Sequence, residues 1–138
     1  MNKILIGFAV VVAAAGLGYV QYMKGEVAAR YSPDALKQIA AESNKELPVM
    51  VDHLTRLDAV MATERTLEKR YTLVTAQASE SLQAELTTKL FPVIKEQSCQ
   101  NQQSKELYQH GVSEAFTYSD MNEKPVASIT LNKNSCTQ

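Results

Sequence analysis

Twenty uncharged and mostly apolar residues, Ile4 to Met23, lie between Lys3 and Lys24. As a helix they would span about 30 Å, the thickness of the hydrocarbon core of a bilayer. No other stretch constrains the chain as strongly, because whatever follows is carried out of the cytosol or held facing away from it. Two readings compete. A signal peptidase would use Ala13, Ala14 and Ala15 and cut before Gly16, leaving a soluble periplasmic protein. Against this, the apolar run continues through Leu17, Tyr19 and Val20, and Tyr19 and Tyr22 sit where an interfacial aromatic belt belongs. The sequence therefore favours an uncleaved signal anchor crossing the inner membrane once, with the C-terminal part in the periplasm. This divides the chain into a signal anchor or signal peptide (1–24), a juxtamembrane connector (25–31) and an exported domain (32–138).

From Arg30 onward, 12 basic and 14 acidic residues leave a charge of about −2. Nucleic-acid binding is not expected, since no cationic stripe is present to neutralise phosphates. A domain of this size holds one modest core and gains from a covalent staple. The two cysteines, Cys99 and Cys136, lie past the apolar run, in what would be an oxidising compartment, and an even count there reads as one disulfide. Closing that loop would remove denatured-state entropy worth about 4 kcal/mol. The competing reading is two buried free thiols. A metal site is not expected, because His53, His110 and scattered methionines show no ligand spacing, and no cofactor is implied.

Ser32-Pro33-Asp34 opens a helix with a capping hydroxyl, a proline at the first helical position and an acid in the first turn. Leu36, Ile39 and Ala40 share one face, and Pro48 ends the segment. The period then changes to two. Leu57, Ala59 and Met61 form one row. Leu67, Lys69, Tyr71 and Leu73 form another across Thr63-Glu64-Arg65, which predicts an antiparallel hairpin. Ser79 to Gln97 returns to helical spacing through Leu82, Leu86 and Leu90, with Pro92 expected to kink or divide it. A short helix from about Asn101 to His110 ends at Gly111. Phe116 and Tyr118, then Val126 to Leu131, alternate again around a polar turn. The order helix, two strands, two helices, two strands predicts an α+β domain with a four-stranded, mainly antiparallel sheet and helices on one face, preceded by a transmembrane or signal helix.

This layout resembles small envelope proteins of Gram-negative bacteria, in particular one type of secretin pilotin. The points of likeness are a helix ending in Asn44-Lys45-Glu46-Leu47-Pro48, a charged first hairpin and a helix leading to Cys99. A final hairpin with Tyr118 and Asp120 follows, and the chain closes on Cys136. The resemblance implies a domain that binds a helix from the C-terminus of a secretin subunit and helps it reach the outer membrane. Members of that family are lipoproteins, whereas no lipid-acceptor cysteine follows the apolar run here.

No catalytic residue is expected. The only neutral-pH bases are His53 and His110. Asp52 adjoins His53, but neighbouring strand side chains point to opposite faces, which is a poor arrangement for a relay. Arg56 and Asp58 share a strand face and are expected to pair with each other. Tyr71, Phe116 and Tyr118, with Phe91 beside Pro92, are the candidate partner-binding residues, because tyrosine offers apolar area with a polar tip. The same side chains equally suit the core under the helices. The leading expectation is a membrane-tethered periplasmic module that binds another envelope protein and contacts the membrane through residues 4–23. An inhibitor or immunity protein against a secreted toxin, and a small enzyme or small-molecule carrier, are the alternatives.

Overall fold

The structure, a computed structural model, describes residues 30–137. Helix α1 (Pro33–Asn44) begins as the sequence dictates: the Ser32 hydroxyl accepts from the Ala35 amide at 3.1 Å, and Leu36, Ile39 and Ala40 are buried. Strands β1 (Val49–Met50), β2 (Thr55–Thr63) and β3 (Thr66–Leu73) follow. The chain then crosses over the sheet through α2 (Glu80–Glu85), a π-helical turn (Leu86–Leu90), α3 (Phe91–Gln100) and α4 (Gln102–Gln109). Strands β4 (Ser113–Ser119) and β5 (Pro125–Leu131) close the sheet, and a 3-10 turn (Lys133–Cys136) returns over the helices.

The sheet has five strands in the order β1-β2-β3-β4-β5, antiparallel except for a parallel β3–β4 pair at its centre. This corrects the expectation of four strands. The missed one, β1, pairs only Val49 with Leu57 and Met50 with Arg56, and two residues are too few to show a period. The parallel pair follows from the connection: a mostly helical segment, residues 74–112, separates β3 from β4, long enough for a crossover.

No helix among the described residues is long and apolar enough to cross a membrane. The expected span 4–23 lies outside them, as do residues 25–29 of the connector. The transmembrane or signal-anchor helix, the membrane contact through 4–23 and the single-pass inner-membrane placement thus find no support in the structure and are withdrawn. The last connector residue, Tyr31, is buried and stacks on His110 with ring centroids 4.0 Å apart.

Pro92 does not break its helix. The turn before it widens, so that the Phe91 amide reaches the Leu86 carbonyl five residues back. Thr87 and Thr88 hydroxyls donate to the Gln83 and Ala84 carbonyls at 2.9 and 2.7 Å, satisfying acceptors near the widened turn. Leu86, Leu90, Phe91 and Ile94 all remain buried against the sheet. Cys99 at the end of α3 and Cys136 in the 3-10 turn are bonded, with Cα atoms 5.4 Å apart. Gly111, at φ 81°, ends α4 in the left-handed conformation and turns the chain into β4. Arg65 from the β2–β3 hairpin donates to the His110 carbonyl at 2.5 Å and the Gly111 carbonyl at 3.3 Å, binding the hairpin tip to that helix end.

Candidate functional site

The register sorts the strand residues into two sets. Leu57, Val60, Leu67, Lys69, Tyr71, Leu73, Glu114, Phe116, Tyr118 and Leu131 face the helices and are buried. Arg56, Asp58, Glu68, Arg70, Thr117 and Ser128 occupy the alternate rows, on the face that no helix among the described residues covers.

That open face carries a shallow trough of about 810 Å³ running across the strands from Pro48, just ahead of β1, to Pro125 and Ser128 on β5. Two three-membered polar groups floor it. The Arg56 Nε meets Asp58 Oδ1 at 2.5 Å, and the Thr72 hydroxyl donates to Asp58 Oδ2 at 2.5 Å. Beside it Arg70 grips Glu68 with both ends of its fork, at 3.1 and 3.3 Å, and the Thr117 hydroxyl donates to Glu68 at 3.2 Å. The expected Arg56–Asp58 contact is present despite a bulge between Leu57 and Ala59. These groups link β2 with β3 and β3 with β4, so their side chains are held before anything binds.

Under the helices lies a third polar group. Lys69 Nζ donates to Glu114 Oε2 at 2.6 Å, the Tyr108 hydroxyl donates to Glu114 Oε1 at 2.7 Å, and Lys69 stands 4.8 Å from the centre of the Phe116 ring. Burial alone would raise the Glu114 carboxyl. The Lys69 charge, with hydrogen bonds from Lys69, Tyr108 and Ser104, outweighs burial and holds the carboxyl below its usual range. Burial, with Glu114 beside it, pushes the Tyr108 hydroxyl up, and burial does the same at Tyr71 and Tyr118. A fourth carboxylate, Asp120, accepts from the amides of Ala78, Asn122 and Lys124 at 2.9, 2.8 and 2.9 Å. It ties the β4–β5 turn to the segment entering α2, and those backbone bonds hold its carboxyl low.

The structure brings Tyr71, Tyr118, Phe91 and Phe116 together on the helix side. Tyr71 and Tyr118 stack at 4.7 Å, Phe91 meets Tyr118 at 6.1 Å, and all four side chains are buried. They hold the crossover helices down and present no ring to solvent. The histidines stay apart. His53 is exposed, while the neighbouring Asp52 accepts from the Leu54 and Thr55 amides at 2.7 and 2.8 Å. His110 Nδ1 lies 2.8 Å from the Glu106 carbonyl. Among the described residues no group of three or more His, Cys, Asp or Glu side chains is placed to hold a metal ion.

Sequence reasoning missed the Lys69–Glu114 pair and the Glu68–Arg70–Thr117 group. A signal for the first was present. Lys69 stands alone in the row Leu67, Tyr71, Leu73, and Glu114 heads the row Phe116, Tyr118, each a single charge in an apolar row.

No protein-family model matches the sequence, and comparison with curated proteins finds no match either. Solved structures do resemble it in fold. A Pseudomonas aeruginosa protein described as secreted is 16% identical with a TM-score of 0.64, over 83% of this chain and 99% of that one. The pilotin EpsS of the Vibrio vulnificus type 2 secretion system is 11% identical with a TM-score of 0.65, over 83% and 99%. The type II secretion pilotin AspS of Vibrio cholerae is 17% identical with a TM-score of 0.54, over 73% and 88%. At these identities the likeness is one of fold, and that fold is the one the pilotins use.

Proposed function

We propose that this chain works in the bacterial periplasm by binding another protein of the cell envelope through the open face of its sheet. The observation that carries the reading is the trough on that face, whose arginine, carboxylate and threonine side chains are already fixed by one another. A surface held in place before binding loses less side-chain entropy when a partner docks. The disulfide suits an oxidising compartment. The fold neighbours, one described as secreted and two as secretion-system pilotins, make a component of such a system the partner class to test first.

The test is capture of crosslinked partners from intact cells, with the native protein beside Arg70→Glu and Thr117→Arg. A single stoichiometric envelope protein is expected with the native chain and is expected to be lost with both variants. The same abundant proteins recovered from all three would overturn the reading.

A further inference from the structure

The two ends of the trough differ in the hydrogen bonds they leave unused. At the β2–β3 end, Arg56 donates to Asp58 through Nε, and among the described residues nothing accepts from its Nη1 or Nη2. Arg70 donates to Glu68 through Nε and Nη2, which leaves its Nη1 edge open in the same way. The carboxylates are better served. Both oxygens of Asp58 and both of Glu68 already accept, with the Thr72 and Thr117 hydroxyls among the donors. This end therefore offers mainly N–H donors to whatever docks. At the β5 end, the lining acid Glu123 belongs to no ion pair among the described residues. Between the two ends, Ser119 and Ser128 bring only hydroxyls.

The register fixes how far apart the guanidiniums stand. Arg56 pairs with Thr72, and Arg70 lies two residues from Thr72 on the same face, so the two arginines are diagonal neighbours. Such neighbours have Cβ atoms about 7–8 Å apart or slightly less. Because β2 and β3 are antiparallel, Asp58 after Arg56 and Glu68 before Arg70 draw both side chains the same way along the sheet. The spacing at the strands thus carries through to the charged heads. Alternate residues of an extended segment repeat at about 6.4–6.8 Å and fit it. Residues one turn apart on a helix, at about 5–6 Å, fit it less well. Arg70 pairs with Thr117, whereas Glu123 lies in the turn beyond Ser119. That puts Glu123 at least about 10 Å from Arg70, more than the screening length of about 8 Å at physiological salt.

We propose that the trough receives an extended segment of the partner protein with carboxylates on two alternate residues and a basic residue further along. The carboxylates bond the open edges of Arg56 and Arg70, and the basic residue meets Glu123. This rests on the open-face reading above and adds the chemistry of the occupant. Each arginine then lies between two carboxylates, its own and the partner's, and keeps its bond to Asp58 or Glu68. A planar guanidinium with an unused edge suits a carboxylate, which accepts two parallel hydrogen bonds. A phosphate dianion suits it less, because each guanidinium is already neutralised and the site has no excess positive charge. The charged side chains of the lining are Arg56, Arg70, Asp58, Glu68 and Glu123, one more acid than base. A wholly acidic segment is therefore disfavoured, and a base over Glu123 lessens the repulsion.

Titration of the full chain, followed by the arginine Nε–H signals in proton–nitrogen correlation spectra, tests the proposal. The probes are the peptide Glu-Ser-Glu-Ser-Thr-Ser-Lys with blocked ends, the same peptide with Gln for both Glu, the charge-swapped Lys-Ser-Lys-Ser-Thr-Ser-Glu, and inorganic phosphate. The acidic peptide should move the Arg56 and Arg70 signals and leave Arg65, whose donors are held by the His110 and Gly111 carbonyls, in place. It should bind at least about fivefold more tightly than the Gln peptide, the scale of one well-placed exposed ion pair. Arg56→Gln/Arg70→Gln should lose that preference at an unchanged melting temperature. Equal binding of the acidic and Gln peptides overturns the proposal. So does tighter binding of the charge-swapped peptide, which net charge alone favours, or of phosphate. A preference that survives in the folded double variant overturns it as well, and the four probes on the native protein decide should the variant not fold. Crosslinked capture tells the two levels apart. Capture lost in Arg70→Glu and Thr117→Arg without any acidic preference removes the carboxylate chemistry alone, whereas capture that neither variant changes removes the open-face reading beneath it.

Discussion

Glu68, Lys69 and Arg70 are consecutive residues of one strand, yet they build two ion pairs in opposite surroundings. Lys69 points under the helices and meets Glu114 with side chains 1% and 4% exposed. Glu68 and Arg70 point the other way and meet each other at 25% and 51% exposed. The strand's period of two assigns one charge to the core and two to the open face. Burial then decides what each pair is for. The covered pair is taken out of water and depends on its partners for stability. The open pair keeps its solvent and holds its side chains in place for contact with another protein.

The largest effect should come from breaking the covered pair. Lys69→Ala or Glu114→Ala leaves one charge buried without its partner and should cost about 3–5 kcal/mol in urea unfolding. Lys69→Met with Glu114→Leu removes both charges and should recover much of that loss, because neither desolvated ion remains. A double-mutant cycle reads the coupling directly. Single variants that unfold within 1 kcal/mol of the native protein, a threshold of about the surface-pair scale, would erase the contrast between the two pairs.

The pair also fixes how the halves of the domain meet. Lys69 belongs to the N-terminal hairpin, Glu114 to β4 beyond the crossover, and they join across the parallel β3–β4 step of the sheet. Sequence reading found both hairpins and the capped first helix because each carries a local signal: alternating rows, or Ser32-Pro33-Asp34. The β3–β4 joint has none. Its register depends on side chains 45 residues apart, and two-residue β1 is placed by its pairing with β2. The open face was legible only in part. Arg56 and Asp58 are two apart on one strand, whereas the Thr117 contact to Glu68 needs the parallel pairing that periodicity does not specify.

Acid should act next, and mainly on the covered side. Glu114 and Asp120 both have carboxyls held below their usual range in the fold. A lowered folded pKa contributes stability that is fully present above the unfolded value, about 4 for such groups, and is lost as pH falls through the folded value. Stability should therefore be flat near neutrality and decline below about pH 4. Base works with the opposite sign. Tyr71, Tyr108 and Tyr118 are raised by burial, so their contribution is intact below about pH 10 and fades above it. Urea midpoints across pH should show both declines. In Lys69→Met/Glu114→Leu the acid decline should shrink without vanishing, since Asp120 keeps its three backbone amides. An unchanged acid profile in that variant would mean that Glu114 does not set it.

The smallest effect on folding belongs to the open face, and its smallness is what makes the face useful. Arg70→Ala removes the bidentate pair with Glu68, but an ion pair this exposed is worth about 0.2–1 kcal/mol after screening and side-chain ordering. Glu68 would keep the Thr117 hydroxyl and gain water, so no charge is stranded. The native and Arg70→Ala proteins should therefore unfold at nearly the same urea concentration, while partner capture differs between them. A loss above about 2 kcal/mol on Arg70→Ala, beyond what exposed pairs contribute, would make the open face a support of the fold. The contacts in the trough would then serve folding, and the division of labour between the two sides of β3 would fail.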